Sequence, residues 1–445
     1  MDQASDPDPP PPARHDPYAA LRLVDYRRFL VGGIMASAAA EMQVVAVGWE
    51  LYERTHSATA LGLVGLAMVI PVILLALPAG HAADRYPRKT LLLASQALMA
   101  LASLGLAGLS YRQGPVSLVY AALAVAGTAH AVSMPARWSI LRQLVPDHLV
   151  GTAVTWNSSG WQVASVVGPA LGGLVIAQSG GATLVYLLDF ALSMGVLGLI
   201  ATIRPRAAGR IEGPATAGSF LAGLRFVRRT ELILATITLD LFAVLLGGAV
   251  ALLPIFAKDI LRVGPEGLGW LRAAPSIGAA IMALTLAHRP PLRRAGPALI
   301  WAVAGFGAAT IGFGLSRSPY LSFAMLMATG ALDNISVVVR STLVQVLTPE
   351  SMRGRVAAVN AIFIGSSNEL GGFESGITAH YFGPVASVVG GGVGTILVVL
   401  LARATWPDLA GLGALDELGR SAPSDDDPAR VTATGAGAVA VGARP

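Results

Sequence analysis

A chain of 445 residues that is 54% apolar and only 13% charged, with mean hydropathy +0.64, departs from soluble domains, where roughly a quarter of residues are charged. It reads as a membrane protein. The net charge of +5 sits in segments between apolar runs, which argues against a nucleic-acid partner, and the absence of cysteine excludes disulfides, thiolate nucleophiles and cysteine metal sites.

Residues 1–20 are acidic and Pro-rich without an apolar core, so they are expected to be a disordered tail rather than a cleaved leader. Twelve apolar runs follow, at residues 28–51, 59–79, 90–110, 117–136, 153–177, 183–203, 231–257, 266–287, 297–315, 319–339, 355–378 and 385–404. A helix needs about 20 residues to cross the hydrocarbon core. In lipid only helices or closed barrels satisfy their own backbone, and these runs are too long and continuous for barrel strands. The expected fold class is therefore an all-α membrane protein with twelve transmembrane helices. The expected organisation is a tail (1–20), a six-helix bundle (21–203), a linker (204–230), a second six-helix bundle (231–405) and a C-terminal tail (406–445) too poor in apolar residues to pack.

Orientation follows from the Lys/Arg bias. With a cytoplasmic N-terminus, 25 of the 31 Lys and Arg residues fall on the inside. Only Arg54, Arg112, Lys258, Arg262 and Arg317 fall outside, and Arg272 lies within a span. Both termini are thus expected in the cytoplasm. The linker is basic, and its second part puts Phe220, Leu221, Leu224 and Val227 on one helical face and Arg225, Arg228 and Arg229 on the other. That pattern reads equally as a helix on an anionic inner leaflet or as a plain basic linker.

Two polar interruptions match each other. Residues 137–157 and 340–360 share Arg137/Arg340, Leu144/Leu347, Pro146/Pro349, Gly151/Gly354 and Asn157/Asn360 at one constant offset. Asp147/Glu350 keeps its charge, and Gly168 meets Gly371 downstream. A repeat of this length divides the chain into two halves, and parallel repeats about an axis along the membrane normal are one architecture of secondary transporters. With these residues the chain resembles the major facilitator superfamily, which implies two six-helix pseudo-repeats that rock around a central site.

Two motifs extend the resemblance. Gly80, Asp84, Arg85, Arg88 and Lys89 lie in the expected loop between spans two and three and are similar to the superfamily's cytoplasmic signature, which implies a latch between the halves. Pro87 stands where the usual second glycine would be. In span five, Gly160, Gly168, Pro169, Gly172 and Gly173 resemble the signature of proton-linked antiporters, and proline there kinks the helix while the glycines admit close neighbours. A kinked packing helix of either transport direction is the other reading. Residues 44–52 and 61–66 are most similar to the branch holding siderophore exporters and macrolide-type drug efflux pumps.

Ionisable groups inside the spans are the candidate chemistry, because a charge at mid-membrane costs roughly 2.5–3.5 kcal/mol on insertion scales. Glu41, Asp240 and Asp333 are candidates for proton coupling, and His130 for proton relay or for a packing hydrogen bond. The resemblance implies that their four helices line the central cavity. Asp189, Glu369, Glu374 and Arg272 are further sites, and the sequence leaves open a pairing of Arg272 with Glu369 or Glu374. Arg137 and Arg340 are expected at the cytoplasmic helix ends, binding terminal carbonyls or Asp84. Met42, Gln43, Trp156, Asn157 and Asn334 are candidate substrate-cavity residues.

No Gly-x-x-x-x-Gly-Lys-Ser/Thr run and no metal-ligand cluster is present, so neither cofactor nor metal is expected, and the chain is not read as an enzyme. The expected function is export of a small organic molecule in exchange for protons, by a monomer in the inner or plasma membrane, with the substrate, protons and lipid as its partners. An importer, or a membrane-embedded enzyme on lipid-linked substrates, are the alternatives.

Overall fold

The structure is a computed structural model that describes residues 16–206, 217–290 and 292–413. The expectations for the tails before residue 16 and after 413, and for linker residues 207–216, lie outside the described residues.

Long apolar runs fold as helices because the helix alone satisfies every backbone group within one segment. The first half holds α1 (Val24–Thr55), α2 (Ala58–Arg85), α3 (Arg88–Tyr111), α4 (Val116–Leu144), α5 (Val150–Ser179) and α6 (Thr183–Thr202). A linker helix, α7 (Ala217–Arg229), precedes α8 (Glu231–Leu246), α9 (Gly264–Ala287), α10 (Ala295–Leu315), α11 (Pro319–Leu347), α12 (Glu350–Phe382) and α13 (Pro384–Thr405). Proline and glycine set several boundaries. Gly383 adopts φ 85° between α12 and α13, and Pro384 opens α13, the favoured site for a residue with no N–H to donate.

Among the described residues, eleven segments are long and apolar enough to cross a membrane. The twelfth span is α12, a 33-residue helix roughly 50 Å long. It carries Asn360, Asn368, Glu369 and Glu374, and its place matches that of α5: α5 packs along α9 of the second half, and α12 packs along α2 of the first.

The two faces of the bundle differ. On the terminal face, where the chain enters α1 and leaves α13, each half has cores of its own. Tyr26, Leu141 and Ile200 belong to one in the first half, and Leu239, Leu299 and Leu343 to one in the second. On the far face a single core crosses the halves, joining Val45, Leu51, Leu106 and Tyr186 to Leu253, Phe256, Leu268 and Phe313. The halves are therefore closed together on the far face and separately packed on the terminal one.

Three local expectations are corrected. The stretch 80–89 is not a loop: α2 runs on to Arg85, only Tyr86 and Pro87 are non-helical, and α3 starts at Arg88. Pro87 forces Tyr86 into an extended conformation and ends α2 without a left-handed residue. Residues 137–144 and 340–347 continue α4 and α11 rather than interrupting them, which moves Arg137 and Arg340 about 10 Å in from the helix ends. Span seven is broken. After Leu246, Gly247 and Gly248 interrupt the helix, followed by a 3-10 turn at Ala249–Leu252, a short α turn, and a π turn at Phe256–Ile260. The break rests on α12, where a Cβ on Gly248 would lie 2.5 Å from the Gly371 carbonyl oxygen.

The repeat also begins earlier than the matching interruptions. Ala19/Ala222, Leu21/Leu224, Arg22/Arg225 and Val24/Val227 are identical at the same offset, in segments that lead into α1 and α8. Each lies over the start of its own half's long interface helix. In the first half, Ala19–Arg22 is a 3-10 turn, the Trp156 indole of α5 donates to the Pro17 carbonyl (2.9 Å), Tyr18 lies against the same ring, and the Tyr26 hydroxyl donates to the Ala153 carbonyl. In the second half, Gly223 of α7 abuts the Arg355 backbone, and Val227 is buried with Val356 and Val359 of α12. Ala153/Val356 and Trp156/Val359 are again equivalent positions.

Candidate functional site

The glycine motif of α5 has two working sides. A Cβ on Gly168 would lie 2.7 Å from Glu41 Cβ and 2.8 Å from the Ala38 carbonyl of α1, and one on Gly172 would lie 3.0 Å from the Met42 Cα. The other side meets the second half, where Gly269 of α9 sits against the Pro169 carbonyl and the Gly173 Cα. Bare backbone on both sides lets α1 and α9 approach α5 at van der Waals distance. That closeness brings together an acid of one half and a base of the other.

Glu41 on α1 and Arg272 on α9 form an ion pair across the halves, Oε2 to Nε 3.8 Å, with both side chains about a quarter exposed. At that distance it is an electrostatic contact rather than a hydrogen bond, and Arg272 Nε is buried with no hydrogen-bond partner. Glu369 of α12 lies within electrostatic reach of the same guanidinium. Its carboxylate packs over Gly65 of α2, where a Cβ would lie 3.0 Å from Oε2. The pairing of Arg272 with Glu369 that the sequence left open is thus only part of the arrangement, because an acid of the other half shares the base.

Beside this cluster lies a cavity of about 380 Å³ bounded by both halves and by the break in span seven. Arg272, Asp333, Asn368 and Glu369 contribute its charged and amide groups, and Val44, Met68, Phe306 and Leu326 are among its apolar walls. The volume falls in the range of small-molecule sites. Discontinuous helices at the repeat interface are a recurring feature of transporter sites, and here Gly247, Gly248 and Pro254 line the cavity.

The other candidates are placed elsewhere. Asp240 of α8 is buried in an ion pair with Arg340 of α11, their side chains 8% and 5% exposed. Among the described residues the partner of Arg340 is thus an acid rather than the expected helix-terminal carbonyls: its extra depth carries it to Asp240 on the neighbouring helix of its own half. Arg137, its equivalent, lies over Gly33 of α1, and His130 is in electrostatic reach of Arg137. Asp84's side chain lies outside the described residues. Lys89 donates from Nζ to the carbonyls of Ala201 and Ile203 at 2.7 and 2.8 Å, capping α6 in the way a cation stabilises a helix C-terminus. Asp189 accepts from the Ser103 hydroxyl at 2.7 Å.

None of the five substrate-cavity candidates lines this cavity. Met42 is buried against Gly172, Trp156 is held by the N-terminal segment, and Asn334 Oδ1 is buried without a partner. Gln43 and Asn157 are half-buried on α1 and α5.

On the far face, two neighbouring residues of the π turn meet two neighbouring residues of α1. Tyr52 donates to Asp259, Lys258 bridges to Glu53 at 3.4 Å, and the Lys258 ammonium also lies 5.6 Å from the centre of the Trp49 ring. Sequence reasoning missed this closure because a π turn, which carries an extra residue per hydrogen bond, puts both side chains on the α1 side. Lys258→Glu is expected to open the far face, seen as faster labelling of a cysteine placed at Val64, and Glu53→Lys on the same chain is expected to restore closure. Unchanged labelling in the single variant would show that the contact holds nothing.

Twelve helices in two repeats, a cavity lined by both halves and closure on one face define a major facilitator fold. Solved structures agree. A bacterial homologue of the human lysosomal transporter Spinster, in an inward-facing and occupied conformation, superposes with a TM-score of 0.68 at 13% identity, covering 89% of this chain and 98% of that one. A D-xylose–proton symporter gives 0.65 at 14% identity, covering 89% of this chain and all of its own. At such identities these show the fold alone. The family model described as transmembrane secretion effector matches residues 15–420, and the chain belongs to that family of multi-pass membrane transporters. The multidrug efflux pump Tap of Mycobacterium tuberculosis is 28% identical over 284 residues, 59% of this chain and 66% of the pump, so the chain spans just under two thirds of that relative's length. The enterobactin exporter EntS of Shigella flexneri is 26% identical over 363 residues, 80% of this chain and 85% of the exporter. The family and these relatives are transporters, a class that moves molecules rather than converting them.

Proposed function

We propose that the protein exports a small organic molecule across the inner or plasma membrane in exchange for protons, with the terminal face in the cytoplasm. The observation that carries this is the Glu41–Arg272–Glu369 cluster beside the cavity, because it is shared between the two moving halves. With the far face closed, Arg272 is held between an acid of each half. Separation of the halves on that face takes Glu41 away from Arg272. A carboxylate that loses a neighbouring cation shifts toward its protonated form, so the change of access is coupled to protonation at the cluster. Binding of substrate and proton to opposite states then drives the exchange, each ligand shifting the equilibrium only by its difference in affinity for the two states. The Lys/Arg bias and the export functions of the named relatives support the direction.

The test is proton flux in proteoliposomes of the full chain under an imposed pH gradient. Addition of a transported compound is expected to dissipate the gradient, and Glu41→Gln is expected to slow compound-driven proton movement at least about tenfold, equivalent to about 1.4 kcal/mol of barrier. Intact coupling in Glu41→Gln, or compound movement without protons, would sink the antiport reading.

A further inference from the structure

The cavity and its cluster hold three carboxylates, Glu41, Glu369 and Asp333, against one guanidinium, Arg272. Arg272 is already engaged by Glu41 and Glu369. Asp333 lines the cavity and makes no hydrogen bond or ion pair with any described residue.

The unmatched charge is therefore negative, and it faces a chamber whose remaining walls are largely aliphatic and aromatic, with Phe306 and Phe313 among them. An organic anion entering here would meet excess negative charge, three carboxylates against one guanidinium. A neutral polar molecule would leave Asp333 without a counterion. An apolar body carrying a positive centre fits both features, since burying an isolated carboxylate is unfavourable unless it is paired and aromatic faces attract cations.

We propose that the substrate is an amphipathic organic cation whose positive centre sits against Asp333. This rests on the export reading and sharpens it: proton and substrate cation become alternative counterions of one cavity, so each expels the other. Of the two activities represented among the relatives, it favours drug-like amines and quaternary cations over a siderophore rich in oxygen acceptors.

The probes are tetraphenylphosphonium and tetraphenylborate, two ions of the same shape and opposite charge. Their binding to the full chain in non-ionic detergent is followed by equilibrium dialysis, with no gradient present. Saturable binding of tetraphenylphosphonium is expected, at least about tenfold weaker in Asp333→Asn, retained in Asp333→Glu and unchanged in Glu266→Gln, whose acid lies in the first turn of α9 and outside the cavity lining. Tetraphenylborate is expected not to compete. Should Asp333→Asn fail to fold, Thr329→Lys, a cavity-lining position one turn away, places a positive charge there and is expected to abolish tetraphenylphosphonium binding. No saturable cation binding, equal binding of the borate, or full affinity in both Asp333→Asn and Thr329→Lys overturns the proposal. Because dialysis involves no transport, charge-selective binding without proton-linked flux keeps the substrate class and removes the antiport reading. Proton-linked flux of anionic compounds alone does the reverse.

Discussion

Arg340→Met should destabilise the protein by about 3–5 kcal/mol, the usual consequence of removing one partner from a buried ion pair. The reason is Asp240, which would remain 8% exposed in the second bundle with its cation gone. The double variant Arg340→Met/Asp240→Leu removes both charges and is expected to return to parental stability or to exceed it by about 1–4 kcal/mol. Thermal unfolding in detergent measures both. A single variant within about 0.5 kcal/mol of the parent, the range of an ordinary surface change, would mean that the pair is not buried as described. Transport by the double variant in proteoliposomes separates roles: Asp240 as an anchor predicts a double variant that still transports, whereas Asp240 as a proton carrier predicts one that is stable and uncoupled.

Gly173→Val should give the largest loss of transport. A side chain there would run into the Pro265 backbone carbonyl and lie 3.0 Å from the Gly269 Cα, across the junction of the halves. Overpacking of this kind costs about 1–3 kcal/mol, and it falls only on the state in which the far face is closed. That shifts the balance of states by about 5- to 150-fold, toward an open far face and a failed cycle. The natural absence of cysteine makes the readout clean: a single cysteine at Val64, which lines the cavity, should label faster from the far face in the variant. Equal labelling and normal transport together would show that the α5–α9 contact is not made during the cycle.

The fold was legible because lipid leaves the backbone so few options. Apolar runs of about 20 residues become helices, and the Arg137/Arg340 and Gly168/Gly371 matches announce two copies. Helix ends were harder to read, since the charged turns at residues 137–144 and 340–347 fall where hydropathy drops although the backbone ladder continues. The break at Gly247–Gly248 was hidden for the opposite reason: two glycines in an apolar run look like ordinary helix packing until Gly371 of another helix is seen to press on them. At the site, sequence supplied depth but not rotation. It placed Glu41, Asp240, Asp333 and Arg272 inside the membrane. Which of them meet depends on which way each helix turns, and for Glu41 and Arg272 that is set by the glycine faces of α5.

The paired segments leading into α1 and α8 have a practical meaning for how the chain can be cut. Each bundle brings its own lead-in and fastens it to its own long helix, Trp156 to Pro17 in one copy and Val227 to Val356 and Val359 in the other. Each copy is thereby furnished as a complete assembly module. Two polypeptides divided between residues 206 and 217 and co-expressed should find each other and restore transport, whereas a second fragment that starts at Glu231, shorn of its lead-in, should not.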